Sequence, residues 1–188
     1  MTHLLSISIG PVQPFIEAAR RTADLTAGSD LLVEIAKAVA RSVQDQGGTL
    51  IFPADPAADG PNKILASVGG DPQTIADDAQ RAAQKVLMDA WTEALVPDVK
   101  QHVNMALADA QIRSFLEFYA AWVPMTDDNY PKARKQVELL LAGRKALRDF
   151  EQPESRSGIF KSPLDPARDS VILDTMPRGT GPLFLKKA

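Results

Sequence analysis

Residues with the chemistry to bind a phosphate lie near the start of this 188-residue chain. An apolar stretch rich in β-branched residues runs into a Gly-Pro corner, and a polar segment with two arginines follows. A strand, a glycine corner and a helix form the arrangement by which α/β proteins bring backbone N–H groups up to a phosphate. The predicted nucleotide-binding residues are Ser8, Gly10, Pro11, Gln13, Arg20, Arg21, Asp24, Gly28 and Ser29.

A purely structural interpretation of the same residues stays open. Gly10 and Pro11 can form a tight strand exit that binds nothing. Arg20 and Asp24 have the four-residue spacing of a helical ion pair, and the arginines can equally be solvated or form interdomain salt bridges. Gly28-Ser29 is adequately explained as a break between two helices, where Ser29 caps the second helix.

Carboxylates are missing where two-metal catalysis would need them. In the palm domains of nucleotide polymerases and cyclases, that chemistry holds two cations between carboxylates on the first strand and on the turn of the central hairpin. The first acid of the chain is Glu17, beyond the first strand, and Asp55 and Asp59 lie in a long proline-rich loop. Cysteine is absent, which excludes cysteine-ligated zinc. We therefore predict no catalytic residue and no metal site in this chain.

Periodicity predicts the elements that position the corner. Residues 4–9 alternate with one apolar face, Leu5, Ile7 and Ile9, as a strand does. A polar helix over 15–25 and a second helix from Ser29 follow, the latter with apolar residues at four-residue spacing. Residues 49–52 and 63–68 are predicted strands on either side of a loop over 53–62.

The second half of the chain continues this pattern. A long helix is predicted from Pro72, capped by Asp71 and broken at Pro97, with helical periodicity again up to Ala110. An aromatic strand over 115–123 and a helix over 131–150 follow. The order β–αα–β–β–α–β predicts an α+β, ferredoxin-like sheet with helices on one face, plus an extra C-terminal helix and an extended tail. Nucleotide polymerase and cyclase palm domains share this layout. We predict a palm-like domain over 1–152 and a tail or linker over 153–188.

Composition narrows the class of protein. Lys and Arg number 21 against 24 Asp and Glu, and this mildly acidic balance argues against tight direct binding of RNA or DNA. No apolar run reaches the roughly 18 residues that span a bilayer, and no signal peptide is recognisable. We expect a soluble, cytoplasmic protein with no membrane partner.

Several segments resemble the large subunit of type III CRISPR effector complexes, most closely its Cmr-type branch. The opening block over 7–33 is similar to the start of the first palm-like domain in that family. Four later segments also resemble family patterns. They are Ile51-Phe52-Pro53 with Pro61-Asn62-Lys63-Ile64-Leu65-Ala66, the aromatic run 115–124, the helix end Ala142–Phe150, and Lys161-Ser162-Pro163-Leu164-Asp165.

The resemblance implies cyclic oligoadenylate synthesis and RNA-guided antiviral defence for the full protein, with ATP and Mg²⁺ as its ligands. For this chain it implies a non-catalytic first palm that forms one wall of an ATP-binding cleft and an assembly surface. The implied partners are other subunits of the effector complex and a second palm of the same protein, with guide and target RNA contacted only indirectly. No cofactor is expected in this chain alone.

Gly69-Gly70-Asp71 is not the catalytic Gly-Gly-Asp-Asp motif of that family. The fourth residue is Pro72, and the triplet follows the third strand instead of lying between hairpin strands. Two rival functions stay open: a self-sufficient nucleotide cyclase or nucleotidyltransferase, which would need carboxylates on the first strand, and a structural assembly module without any ligand.

Overall fold

The computed structural model describes residues 1–12, 17, 19, 21–147, 160–162 and 168–173. Its elements follow the chain in this order: β1 (His3–Gly10), α1 (Thr22–Asp45), β2 (Thr49–Phe52), β3 (Lys63–Val68), α2 (Pro72–Ala94), α3 (Pro97–Lys100), α4 (Met105–Arg113), β4 (Glu117–Pro124), a 3₁₀ turn (Asp127–Asn129) and α5 (Tyr130–Ala146). The predicted Gln13, Arg20 and most of the tail fall outside the described residues.

In the described part of the chain, four strands form one antiparallel sheet in the order β2-β3-β1-β4. Each half of the fold runs strand–helix–strand, and the two halves interleave so that β1 and β3 lie at the centre. This is the ferredoxin-like strand order, so the predicted fold class is confirmed. The β2 and β3 bounds agree with the prediction, and β4 lies one or two residues later than predicted.

One face of the sheet is covered by α1 and α2. Both helices carry apolar residues every three or four positions, which turns a continuous stripe toward the sheet. The buried residues of this layer include Leu5, Ile7 and Ile9 of β1, Ile35, Val39 and Val43 of α1, and Ile75, Ala79 and Ala83 of α2. The apolar faces predicted for these elements are therefore confirmed.

The opposite face is covered by α5, so helices lie on both faces and not on one alone. Ala133, Val137 and Leu141 of α5 pack against Leu4, Leu65, Ala121 and Val123 of the sheet. Alternate residues of β1 therefore face two covered sides of the sheet, one under α1 and α2 and the other under α5. Ser6 and Ser8 face α5 and are buried. The hydroxyl of Ser6 has no hydrogen-bond partner in the described structure.

The helix break predicted at Gly28-Ser29 is wrong, because α1 runs without interruption from Thr22 to Asp45. Arg21 has an extended backbone, φ −133° and ψ 154°, which also contradicts a helix continuing through it from residue 15. The helix begins here because the Asp24 carboxylate accepts a hydrogen bond from the Arg21 amide, with N and Oδ2 3.1 Å apart. Glycine inside a helix costs only about 1 kcal/mol relative to alanine, so neighbouring residues can carry the helix through Gly28.

Residues 168–173 lie against α3 and α4. Val103 forms a β-bridge with Ile172, and the Leu173 amide donates to the His102 carbonyl at 2.8 Å. The Asp169 side chain is 1% exposed and lies 2.7 Å from the ammonium nitrogen of Lys161. These contacts close a third apolar cluster around Val99, Val103 and Ala108, against which Val171 and Ile172 pack.

Candidate functional site

The predicted binding corner lies where β1 ends. Gly10 pairs with Glu117 at the start of β4. On the other side, the Ile9 amide donates to the Asn62 carbonyl at 2.9 Å, and the Asn62 side-chain amide donates to the Ile9 carbonyl at 3.3 Å. Pro11 follows and is half-buried. The end of β1 is thus held by neighbours on both sides, which gives the corner a defined position in the described structure.

Gly10 fits this position for a packing reason. A Cβ added there would lie 3.1 Å from Oε2 of Glu117, closer than ordinary van der Waals contact, and 3.4 Å from its Cβ. A side chain at Gly10 would therefore require the Glu117 carboxylate to shift by a few tenths of an ångström, whether or not a ligand binds nearby. The close approach supports the structural interpretation of Gly10 and leaves its predicted role in binding as a prediction.

Ser8 lies at the covered face of the sheet and is 5% exposed. It pairs with Lys63 on β3 and with Tyr119 on β4, so the three side chains form a row across that face. The Lys145 ammonium, near the C-terminal end of α5, donates a hydrogen bond to the Ser8 hydroxyl with Nζ and Oγ 3.2 Å apart. A buried hydroxyl and an ammonium group therefore meet at the Gly10 end of the sheet.

Two lysines give this end of the sheet its positive charge. Lys63 forms an ion pair with Glu138 of α5, and both side chains are about one-third exposed, 36% each. Lys145 makes no ion pair with a carboxylate of the described residues. Among the described residues near this row, Lys145 therefore keeps a positive charge that can interact with an anion. Lys145 was not among the predicted site residues.

A sequence signal for Lys145 did exist. Ala133, Val137 and Leu141 are buried at four-residue spacing, and Lys145 continues the same series. The spacing places Lys145 on the sheet-facing side of α5, where a long side chain can reach Ser8. Basic residues at a helix end, here Arg144 and Lys145, are also typical of a solvated C-terminus, so the sequence alone does not single out Lys145.

The other predicted site residues lie along the first turns of α1. Asp24 accepts from the Arg21 backbone, and Gly28 and Ser29 lie inside the helix, where Ser29 is exposed and caps nothing. Among the described residues, no hydrogen bond or ion pair joins these four to Ser8 or Gly10. The predicted ion pair between Arg20 and Asp24 lies outside the described residues, as does Gln13.

Asp55 and Asp59, the acids of the loop between β2 and β3, both have partners within the described residues. Asp55 accepts from the Ala57 amide at 2.8 Å, which closes a local turn. Asp59 lies 2.8 Å from the ammonium of Lys37, which also contacts Glu34 at 3.0 Å. Hydrogen bonds to Asp59 and then to Glu34 raise the pKa of Lys37 above its ordinary value. Within the described ranges, no group of three His, Cys, Asp or Glu side chains could hold a metal ion.

Asp71 is a helix cap, as predicted. Its Oδ2 accepts from the Thr74 hydroxyl at 2.6 Å and from the Thr74 amide at 3.0 Å. These hydrogen bonds, the hydroxyl first, hold the pKa of the Asp71 carboxyl below its usual value because they favour the charged form. Pro72 occupies the first turn of α2. The triplet Gly69-Gly70-Asp71 therefore starts a helix.

A cavity of about 240 Å³ lies elsewhere, on the α1 and α2 side of the fold. Its walls are mostly apolar and come from α1, α2, α4 and the segment at Arg168. The lining residues are Leu31, Leu87, Gln111, Ile112, Phe115 and Arg168. Since Ser8 and Lys145 lie at the other face of the sheet, this cavity is separate from the predicted corner.

In the described part of the chain, no helix combines the length and apolar character needed to cross a bilayer.

Comparison with known proteins places the chain in a family. Residues 4–121 match the family described as "CRISPR-associated protein Cmr2, N-terminal", which is more than half of the chain. No curated protein matches. A crystal structure of an apo Csm1–Csm4 cassette is 17% identical with a TM-score of 0.48, and covers 78% of this chain and 19% of that one.

Two further structures have similar values. A Csm1–Csm4 cassette in complex with pppApApA is 15% identical with a TM-score of 0.46, over 85% of this chain and 23% of that one. Csm1 in T. onnurineus is 16% identical with a TM-score of 0.44, over 77% of this chain and 20% of that one. The chain thus spans about a fifth of the length of these proteins. On this match, the chain belongs to the family of CRISPR-associated Cmr2 N-terminal domains, as its resemblance to type III large subunits predicted.

Proposed function

We propose that this chain is a non-catalytic, palm-like domain of a type III CRISPR effector large subunit that forms one wall of an ATP-binding cleft. The single observation that carries the proposal is the contact between the Lys145 ammonium and the buried Ser8 hydroxyl at the end of β1. A charged hydrogen-bond donor at this place is suited to an anionic oxygen, because such bonds are about twice as strong as neutral ones.

The non-catalytic part of the proposal rests on the residues of β1. That strand presents Ser6 and Ser8 to one face and Leu5, Ile7 and Ile9 to the other, so it offers no carboxylate to a cation. Asp55 and Asp59 are engaged by Ala57 and Lys37. A self-sufficient cyclase or nucleotidyltransferase would need such carboxylates as ligands for two metal ions.

The proposed setting is an assembly. The remaining wall of the cleft is contributed by a second palm of the full-length protein, and other effector subunits dock on this domain. Guide and target RNA are contacted through those partners, in keeping with the formal net charge of −3. The cytoplasm is the proposed compartment.

The alternative is a structural assembly module without a ligand. One observation favours it: the close approach of Gly10 to Glu117 gives this glycine a role in strand packing that needs no ligand. The two functions differ in a single measurable property, which is binding of ATP through Lys145.

Isothermal titration with ATP, with and without Mg²⁺, tests the proposal. We expect a dissociation constant in the micromolar to millimolar range, because small-molecule sites bury most of the ligand and this domain supplies only one wall. Lys145→Gln should weaken binding several-fold. Lys135→Gln is the matched control, since Lys135 is an exposed lysine of the same helix. Equal affinity in the two variants, or no binding by the wild type, would favour the ligand-free module.

A further inference from the structure

Lys63 lies beside Ser8 in the sheet but pairs with a different residue. The two are directly opposite each other on β3 and β1, and the side chains of such cross-strand neighbours begin about 5 Å apart. In the described structure, however, the Lys63 ammonium forms its ion pair with the Glu138 carboxylate of α5. The Ser8 hydroxyl accepts a hydrogen bond from Lys145 instead. Glu138 therefore draws Lys63 away from a hydroxyl that its position in the sheet allows it to approach.

Glu138 and Lys145 lie on the same flank of α5. Their spacing in sequence is close to two helical turns, so both side chains project to one side of the helix, roughly 10 Å apart along its axis. Their contacts with Lys63 and Ser8 show that this side faces the Gly10 end of the sheet. The carboxylate neutralises Lys63, whereas the Lys145 ammonium has a neutral hydroxyl as its partner.

The ion pair between Lys63 and Glu138 is suited to exchange. Both side chains are about one-third exposed, and ion pairs with this much access to water contribute little to stability. A phosphate chain carries more negative charge than one carboxylate, and its oxygens form strong charge-assisted hydrogen bonds with ammonium groups. Glu117, the acid opposite Gly10, forms no ion pair with Lys63 or Lys145 in the described part of the chain. Glu138 is therefore the carboxylate with which an anion would compete for Lys63.

We propose that Lys63 is a second anion-binding group at this end of the sheet and that Glu138 is its internal competitor. The proposal rests on the proposed nucleotide function and names the part of the ligand that is recognised, which is a polyphosphate chain. A single phosphate reaches the Lys145 ammonium beside Ser8. A chain of phosphates extends from there to Lys63 and displaces the Glu138 carboxylate.

This arrangement discriminates by the number of phosphates. A monophosphate gains nothing from Lys63, because one phosphate group does not reach both ammonium groups while Glu138 holds Lys63. A triphosphate gains a second charge-assisted contact, from which the cost of displacing Glu138 is subtracted. The affinity for ATP should therefore depend on Lys63 and Glu138, and the affinity for AMP should depend on neither. Inorganic tripolyphosphate should behave like ATP, since the contacts involve no atom of the base.

Isothermal titration of the chain with ATP, AMP and inorganic tripolyphosphate tests the proposal. Glu138→Gln should bind ATP and tripolyphosphate several-fold more tightly than the wild type, because it releases Lys63, and should bind AMP equally well. Lys63→Gln should weaken the binding of ATP several-fold without changing that of AMP. Glu138→Gln combined with Lys63→Gln restores the net charge of the wild type and should bind ATP no more tightly than the wild type.

Asp89→Asn is the matched control. It removes the same formal charge as Glu138→Gln and also takes a carboxylate from an ion pair with a lysine, Lys85. It lies on α2, which covers the opposite face of the sheet. Its affinity for ATP should equal that of the wild type. All the substituted side chains are partly or largely exposed, so the variants should keep the wild-type circular dichroism spectrum.

The outcomes separate this proposal from the function on which it rests. Binding of ATP that depends on Lys145 but is unchanged by Glu138→Gln overturns the role of Glu138 and leaves the proposed function standing. An equal gain in Asp89→Asn reduces the effect to net charge, and an equal gain for AMP removes the selection for polyphosphate, so either result also overturns the proposal. No binding of ATP by the wild type or by Glu138→Gln overturns both.

Discussion

Ser8 shows what can be read from residue types and what depends on tertiary structure. Its position at the end of an apolar strand, next to Gly10, could be predicted as a place of chemical interest. Its partner could not, because Lys145 lies 137 positions along the chain and reaches Ser8 only after α5 has packed on the sheet. Asp71 is the opposite case, since a local pattern of acid, proline and threonine determines both its partner and its role.

Replacing Asp71 tests the distinction between a helix cap and a catalytic acid. Asp71→Ala should lower the melting temperature by several degrees, because it leaves the Thr74 amide without its acceptor. Asp71→Asn should retain most of the stability, since asparagine caps about as well. ATP affinity, measured by titration, should be unchanged in both. An Asp71→Ala protein that melts like the wild type but loses Mg²⁺-dependent ATP binding would contradict the assignment as a cap.

The same carboxylate predicts a dependence of stability on pH. The Thr74 hydrogen bonds lower the pKa of Asp71 in the folded state relative to the unfolded chain. Its contribution is therefore present above the unfolded pKa and is lost as the pH falls through the folded pKa. The difference in melting temperature between wild type and Asp71→Ala should shrink below about pH 4, the ordinary range for aspartate. A difference that stays constant down to pH 3 would contradict this linkage.

At the scale of elements, hydrophobic periodicity predicted the strands and the faces of α1 and α2, because those patterns follow from local geometry. Two errors have a physical cause. Glycine followed by serine is typical of a helix break, yet α1 continues through Gly28-Ser29. The Asp24 carboxylate caps the helix at Arg21, and the buried apolar residues from Leu32 onward pack the helix against the sheet. The second covered face was missed because Ser6 and Ser8 are polar, and only the packing of α5 buries them.

Ser29→Ala tests whether α1 is one helix. If Ser29 lies inside the helix and is exposed, alanine should raise the free energy of unfolding by about 0.5 kcal/mol, because alanine has the higher helix propensity. If Ser29 capped a second helix, the same change should lower it by about 0.5–2 kcal/mol. Urea unfolding followed by circular dichroism gives the sign. Ser42→Ala, further along α1, is the control for a serine in the helix interior, although its side-chain contact with Gln46 must be lost as well.

At the scale of the whole molecule, the ligand and the partners lie beyond what this chain's own contacts can specify. In the proposed function the cleft is lined by residues of two domains, and the contacts within this domain define only its own side. The predicted domain bounds, 1–152 and 153–188, stay a prediction for the same reason.

Incubation with ATP and Mg²⁺ tests the proposed lack of catalysis. The chain should form neither cyclic nor linear oligoadenylate, because β1 carries no carboxylate and the loop acids are engaged elsewhere. Chromatographic separation of adenylate products, with an active oligoadenylate synthase as the positive control, provides the measurement. Product made by a pure preparation and abolished by Asp55→Asn or Asp59→Asn would overturn the proposal.

The segment over 168–173 has a practical consequence for anyone who shortens this chain. Val171 and Ile172 complete the apolar cluster at α3 and α4, and Asp169 is nearly inaccessible to water. Ending the polypeptide at residue 147, just after α5, would remove these groups and expose Val103, the bridge partner of Ile172, to solvent. A version that stops at residue 147 should consequently show more binding of a hydrophobic dye and a greater tendency to precipitate than one that stops at 174.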